Sequence, residues 1–369
     1  MCGLPGMFHP CVGETMKAAS VLTAIPILTC LCVPAFSSAL FDRANAPSPI
    51  EPATSFKMAS FYPYGDGALG KSPFERHLPQ ESLDRAFRSN VLIETGERHE
   101  ECSAVLVSGR GHALTALHCV ESCFERAGLM EKIVLRGPDY SHGEFRRVKS
   151  QAPDALRCGG NRGFKILASG PGHVVEFYDG NYSAEELAEL KRFIAGDFAV
   201  IEFDSVPPAS SCVPAARAPI TAGQPIWSVG HPSQTRRGQD DSDGDQSFLT
   251  SGKVIASVLE HPQAPSWKPE QRSLLDEVYR SPEIILSSLD LVDRMSGSMA
   301  IDARGELVGL NSGSLVTHQN SEPFLPTIRV FIDNNARSLR VGHIAAEVKS
   351  LLGPERAAEI FDCRREELE

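Results

Sequence analysis

From Val91 onward the chain breaks into short apolar runs, each long enough for one strand, with turn residues between them. The runs are Val91-Leu92-Ile93, Ala104-Val105-Leu106-Val107, Lys132-Ile133-Val134-Leu135, Phe198-Ala199-Val200-Ile201, Ile226-Trp227-Ser228-Val229, Lys253-Val254-Ile255-Ala256, Ile284-Ile285-Leu286 and Glu306-Leu307-Val308-Gly309-Leu310. Many short strands separated by frequent turns predict an all-β architecture, a barrel or a sandwich. Helical patterns are few. Ser183, followed by Glu185 and Glu186, marks the start of a helix running to about Ile194. His343 to Leu352 carries apolar residues at helical spacing and predicts a C-terminal helix. No repeat of fixed period is visible.

The sequence ahead of Val91 has a different texture. Met16-Lys17 starts a short basic segment, an apolar stretch follows from about Val21 to Val33, and Ser37-Ser38-Ala39 supplies the small residues of a cleavage site. That order predicts an export signal over 1–39, with translation starting at Met16 because Met1 to Thr15 holds no Lys or Arg. The apolar run falls short of the ~20 residues a spanning helix needs, so no membrane span is expected in the mature chain. Residues 40–90, with Ala46-Pro47-Ser48-Pro49, read as an N-terminal extension or pro-segment. At 369 residues and 42% apolar content, the chain is long enough for a sizeable core. A net charge of −11, without any block of Lys and Arg, argues against nucleic acid as a partner.

Of ten cysteines, Cys102, Cys119, Cys123, Cys158, Cys212 and Cys363 follow the proposed cleavage point. An even number in an exported chain reads as disulfides. Cys119 and Cys123 have a loose zinc-ligand spacing, but no second pair follows. The acidic cluster Asp240-Asp241-Ser242-Asp243-Gly244-Asp245 fails the spacing of a calcium loop and reads as a solvated surface loop.

Three segments carry chemistry. Cys102-Ser103-Ala104-Val105 leads to Leu114-Thr115-Ala116-Leu117-His118-Cys119. Gly196-Asp197-Phe198-Ala199-Val200-Ile201 places an acid at a strand start. Leu289-Asp290-Leu291-Val292-Asp293-Arg294-Met295-Ser296-Gly297-Ser298-Met299 precedes the strand that ends in Asn311-Ser312-Gly313. Together, over roughly residues 90 to 345, these segments resemble the trypsin-like (chymotrypsin-fold) serine protease family. The third, with Gly230-His231-Pro232-Ser233, resembles its bacterial glutamyl-endopeptidase-like branch. The order His, Asp, Ser is the chymotrypsin order.

The resemblance implies two antiparallel six-stranded β-barrels with a C-terminal helix and the active site between them. Residues 91–211 would form the first barrel with His118 and Asp197, 212–340 the second with Ser296, and 341–369 the helix and tail. It implies a catalytic triad of His118, Asp197 and Ser296 that cleaves protein or peptide substrates through an acyl-enzyme, without cofactor or metal, in a secreted or periplasmic setting. It implies a Cys102–Cys119 disulfide clamping the loop that holds His118. Cys123, Cys158, Cys212 and Cys363 then allow three pairings, of which Cys123–Cys158 with Cys212–Cys363 is favoured. Asp290, Asn311 and Gly313 would bind substrate, Asp290 either at the base of the specificity pocket or in a structural role. The interval between His118 and Asp197 is longer than usual for the family, and the excess is expected as a loop region of about 138–190 around the predicted helix.

The departures concern the nucleophile loop. Arg294 stands where the family has the Gly whose N–H, with that of Ser296, forms the oxyanion hole. A residue with a Cβ resists the backbone angles that Gly tolerates. An Arg side chain there would project near bound substrate. Met295 replaces the usual Asp or Asn, and Met299 replaces Pro. No Ile-Val-Gly-Gly sequence precedes Cys102, so trypsin's activation by a freed N-terminus is not implied. These departures motivate one rival function, a catalytically silent trypsin-like domain that binds protein.

Overall fold

The short runs become paired strands in a computed structural model, which describes residues 62–63, 78–95, 100–136, 141–150, 156–158, 163–177, 182–206, 210–231, 247–260, 269–289, 291, 294–314 and 336–363. All of them belong to one unit, Thr54–Glu369. The expected export signal, the acidic cluster at 240–245 and Asp290 lie outside the described residues.

The first elements are β1 (Tyr62–Pro63), α1 (Gln80–Ser89), β2 (Asn90–Thr95), β3 (Glu100–Leu106), β4 (His112–Thr115), a 3-10 turn at His118–Val120 and α2 (Glu121–Arg126). Next come β5 (Met130–Arg136), β6 (Ser141–Val148), β7 (Arg157–Cys158), β8 (Phe164–Ser169), β9 (Gly172–Phe177), α3 (Ala184–Ala195) and β10 (Ala199–Phe203). The second half holds β11 (Pro225–Gly230), β12 (Phe248–Ile255), α4 (Pro269–Tyr279), β13 (Ile284–Ser287), β14 (Met299–Ile301), β15 (Leu307–Ser314), β16 (Ala336–Arg340), α5 (Val341–Leu352) and α6 (Pro354–Ile360).

The second half closes on itself. Strands β12, β11, β14, β15, β16 and β13 pair in that order, and β13 pairs back onto β12, which makes a six-stranded antiparallel barrel. The short β1 adds to the outside of β12. Closure removes the exposed sheet edge that an open sheet would leave. The first half is built differently. A six-stranded sheet runs β2-β3-β4-β10-β8-β7, and β5-β6-β9 form a separate three-stranded sheet.

Much of the stretch expected as a loop around 138–190 is therefore strand. Strand β6 escapes an apolar-run reading because ion pairs do part of the work of side-chain packing there. On β5 and β6, Glu131 sits opposite Arg147 in register, and their side chains pair at 2.6 Å. Arg146 pairs with Glu144 at 3.1 Å, and Lys132 pairs with Glu144 as well. Opposite charges across a ladder stabilise strands by only a few tenths to about 1 kcal/mol each. The inward residue is Phe145, buried beside Phe193 of α3.

The predicted helix at Ser183 is α3, and its start is a capping box. Ser183 Oγ accepts from the Glu186 N–H at 3.2 Å, and the Glu186 carboxylate accepts from the Ser183 N–H at 2.7 Å. Each bond satisfies a donor that the first helical turn leaves open. Leu190, Phe193 and Ile194 form its buried face. The predicted C-terminal helix is α5, which follows β16 directly and buries Ile344 and Val348. Helix α1 falls where an extension was expected, yet Leu83, Ala86 and Phe87 form one face of it and join the main core with Val105, Leu114, Trp227 and Val229.

Among the described residues no helix is long and apolar enough to cross a membrane. Three disulfides cross-link the fold. Cys102 joins Cys119 with Cα atoms 5.9 Å apart, Cys123 joins Cys158 at 5.9 Å, and Cys212 joins Cys363 at 5.7 Å. The third has a sequence separation of 151, against 17 and 35 for the others. Cross-linking constrains the unfolded chain more as the closed loop lengthens. The double variant Cys212→Ser/Cys363→Ser is therefore expected to lose about 2–5 kcal/mol of unfolding free energy. It should lose more than Cys102→Ser/Cys119→Ser does, as read from urea midpoints at constant m-value.

Candidate catalytic site

Strand pairing brings His118 and Asp197 together. Strand β10 runs antiparallel to β4 with Ala199 opposite Thr115. Asp197, two residues before Ala199, and His118, three residues after Thr115, thus meet at the same end of the pair. Leu117 and Phe198, the neighbours of the two side chains, are fully buried and anchor both turns. Beyond Leu117 the chain coils into the 3-10 turn, and the Cys102–Cys119 disulfide ties that turn to β3.

The His118 Nδ1–H donates to Asp197 Oδ2 at 2.8 Å, and the His118 backbone N–H donates to Oδ1 at 3.0 Å. A carboxylate can only accept, so the proton sits on Nδ1 and the lone pair of the neutral ring sits on Nε2. Asp197 is 2% exposed, whereas the His118 side chain is 30% exposed. Burial opposes the charged form of both groups, but their mutual charge and hydrogen bond outweigh it. Asp197 is lowered to about 2, with His173 and Arg337 also favouring its anion. The His118 pKa is raised above its ordinary value: burial lowers it, Asp197 raises it more, and smaller opposed effects come from Arg337 and Glu121.

The backbone of Ser296 lies against the same clamp. Its carbonyl accepts from the Ser103 N–H at 2.9 Å and lies 3.7 Å from Cys119 Sγ. The loop is also stitched to β15. The Gly297 N–H donates to the Asn311 carbonyl at 2.7 Å, and the Asn311 N–H donates to the Ser298 carbonyl at 2.8 Å. The Asn311 amide donates to Ser298 Oγ and Ser228 Oγ, both at 2.8 Å, and accepts from Ser338 Oγ at 2.6 Å. Asn311 is fully buried, and its side chain supports the loop at Ser296 from behind. Met295 is fully buried as well, in an apolar cluster with Leu289, Leu291 and Ala300.

Among the described residues, Arg294 is the only non-glycine with positive φ, at 73°. Its carbonyl accepts from Ser103 Oγ at 3.0 Å, and its guanidinium pairs with Glu101 of β3 at 2.5 Å. Both contacts hold the strained peptide in place. Gly297 also has positive φ, at 81°, for a different reason. A Cβ there would collide with the Ser103 carbonyl oxygen and Thr115 Oγ1, so the loop can lie this close to β3 and β4 only without a side chain.

Sequence reasoning missed three groups. His173 is buried on β9, with its ring centroid 5.8 Å from that of His118. Its Nε2 lies 2.8 Å from Glu121 Oε2, and Arg146 reaches the other oxygen of that carboxylate at 3.1 Å. Burial works against the Glu121 anion, but His173 and Arg146 together bring its pKa below the usual value. Arg337 on β16 is buried next to Asp197. The available signal was a charged residue inside a strand-length run, Ala336-Arg337-Ser338-Leu339. Ligating atoms of Cys102, His118 and Cys119 lie within 4.8 Å of one another, but the two sulfurs are bonded to each other and offer no thiolate to a metal.

A family model described as a trypsin-like peptidase domain matches residues 102–310, more than half of the chain. No curated protein matches it. Among solved structures, an inactive mutant form of Rv3671c from M. tuberculosis H37Rv aligns at 14% identity over 77% of this chain and 96% of its own, with a TM-score of 0.39. The HtrA-type protease AlgW, with a tripeptide, aligns at 14% identity over 75% and 64%, with a TM-score of 0.40. Deg5 aligns at 15% identity over 77% and 99%, with a TM-score of 0.39. The likeness is distant, and none of these comparisons singles out the glutamyl-endopeptidase branch.

The two positive-φ residues of the loop should respond unequally to substitution. Gly297→Ala adds a backbone collision to an unfavourable φ and is expected to cost roughly 2–4 kcal/mol. Arg294→Gly relieves about 1 kcal/mol of strain but loosens the unfolded chain and removes a half-exposed ion pair, so its net change should stay within about 1 kcal/mol. Thermal melts of the two variants beside the parent check this, and a Gly297→Ala chain as stable as the parent would contradict it.

Proposed function

The chain belongs to the trypsin-like peptidase domain family, and from that premise we propose that it is an exported serine endopeptidase acting through His118, Asp197 and Ser296. The observation that carries the reading is the His118–Asp197 pair, which puts the lone pair of the neutral ring on Nε2, with the Ser296 backbone packed against the same disulfide-clamped turn. Ser296 Oγ would attack the scissile carbonyl of a protein or peptide while its proton passes to His118 Nε2. The N–H groups of Arg294 and Ser296 would take the oxyanion. Collapse would expel the amine, which takes the proton from His118 and leaves an ester on Ser296 for water to hydrolyse. Asp197 would stay ionised throughout and stabilise the imidazolium. Export is supported by the signal-like segment and by three disulfides, which form and persist in oxidising compartments.

The strained peptide at Arg294 favours the second reading, a catalytically silent domain that binds protein. Losing one oxyanion donor costs about 10²–10³ in turnover. Labelling of Ser296 by a fluorophosphonate separates the two. An unlabelled Ser296 in folded protein, remaining so in Arg294→Gly, would favour the binding domain.

The pH dependence has a definite sign. The base must be neutral to accept the proton of Ser296, and the His118 pKa is raised above 6.5. The acid limb of kcat/KM is therefore expected to have its midpoint above 6.5, with activity lost as pH falls through it. Ser296→Ala and His118→Ala should each lower kcat by roughly 10⁴-fold or more. Peptidase assays from pH 4 to 10 read both effects, and an acid limb centred below pH 6 would count against His118 as the base.

A further inference from the structure

The guanidinium of Arg337 enters the catalytic site from behind. Its Nη2 donates to the Ser312 carbonyl at 2.9 Å, and its Nε donates to Ser312 Oγ at 3.1 Å. The same Nη2 lies 3.8 Å from Asp197 Oδ2. Room for it comes from Gly313, which faces Arg337 across the β15–β16 ladder. A Cβ on Gly313 would come within 2.9 Å of Nη2, closer than side chains pack. The ladder shifts register between Asn311 and Gly313, which leaves Ser312 to be held by the guanidinium.

We propose that Arg337 is a positioning residue of the catalytic site, whose fork fixes the Ser312 peptide relative to the Asp197 carboxylate. The proposal rests on the serine-protease reading above and deepens it. When His118 is neutral, Asp197 is a buried anion that, among the described residues, accepts two hydrogen bonds, both from His118. An uncompensated buried charge is costly, so a counter-charge belongs in this position. At 3.8 Å, Nη2 supplies that charge without a hydrogen bond that would compete with His118 for Oδ2. Its directed bonds go to Ser312 instead. A planar fork can meet both oxygens of Ser312 at once, which the point charge of a lysine cannot.

The charged groups around the pair come from four elements. Asp197 lies just ahead of β10, Arg337 comes from β16, Glu121 from α2 and His173 from β9, with Arg146 behind Glu121. For His118, burial is opposed by Asp197, Arg337 acts with burial to lower its pKa, and Glu121 acts against it. Removing Arg337 should therefore raise the His118 pKa, because its cation disfavours a second positive charge nearby.

The experiment compares the parent with Arg337→Gln and Arg337→Lys, each confirmed folded by its melting curve. The His118 titration is read by NMR, and kcat and KM are read across pH. In Arg337→Gln, the His118 titration and the acid limb should move up together by about one pH unit. Its plateau kcat should fall about tenfold or more. Arg337→Lys keeps the charge and loses the fork, so it should titrate like the parent while kcat still falls. A folded Arg337→Gln with both the His118 titration and kcat unchanged would overturn the proposal. If Arg337→Gln does not fold, Arg337→Lys decides: the parent's kcat without the fork overturns the proposal, and a lowered kcat at unchanged titration supports it. Failure of a fluorophosphonate to label Ser296 in both the parent and Arg294→Gly would sink the protease reading itself, a separate result from the His118 titration.

Discussion

The fold is arranged around one buried carboxylate. Asp197 sits at 2% exposure, where an unpartnered anion would cost several kcal/mol. Two hydrogen bonds from His118 lie in reach only because β4 and β10 are neighbours with Thr115 opposite Ala199. That register in turn depends on Leu114, Val200 and Phe198 being buried on the core side. The capping box of α3 matters at this distance too, because α3 delivers the chain to Gly196 and Asp197. Slipping the register by one residue would exchange the two faces of β10 and take the acid away from the histidine.

The loop at Ser296 solves a different problem, that of holding a short irregular segment still. Trypsin-like chains with an acid before the serine can use charge for this. Here Met295 occupies that position and is buried among Leu289, Leu291 and Ala300. Hydrophobic burial of this one side chain, worth on the order of 2 kcal/mol, fixes one side of the loop. Asn311 fixes the other by joining Ser228, Ser298 and Ser338 in a buried network. Such an apolar anchor requires no cleaved N-terminus, which agrees with the absence of an Ile-Val-Gly-Gly sequence ahead of Cys102. The remaining strain falls on Arg294, which keeps a positive φ under the hold of Ser103 and Glu101.

Legibility in the sequence followed the source of stability. Strands β10, β11 and β13 are buried apolar runs, and they stand out as such. Helix α3 announced itself through Ser183 and Glu186, because a capping box is a local interaction between residues three apart. Strand β6 did not, because its Glu144 and Arg147 pair by charge with Lys132 and Glu131 of β5, and charge pairing across a ladder leaves no period within one strand. The strings around His118 and Ser296 stand out in the sequence, whereas Asp197, an acid at a strand start, drew its meaning from the His, Asp, Ser order. Arg337 was not, since its role exists only where β16 meets the shifted ladder of β15. The burial of Asn311 was hidden for the same reason: whether its amide faces a cleft or the barrel interior depends on the shift between Asn311 and Gly313.

The linkage between the pair's stability and its chemistry gives the site an inherent tension. Asp197 is lowered to about 2, so its contribution to folding is present above its ordinary 3.8 and is lost as pH falls toward 2. His118 is raised, so its contribution is fully present below 6.5 and is lost as pH rises through its folded value. The ion pair therefore stabilises the fold most between those limits, where His118 is protonated. In the proposed mechanism His118 is a general base that must be neutral, and the ring is neutral only at higher pH, after that contribution has gone. Arg337 eases this conflict, since a cation behind the carboxylate lowers the His118 pKa and compensates the Asp197 charge once the ring has lost its proton. On this argument the buried arginine favours the neutral histidine that the proposed mechanism needs over the state in which the histidine is merely paired.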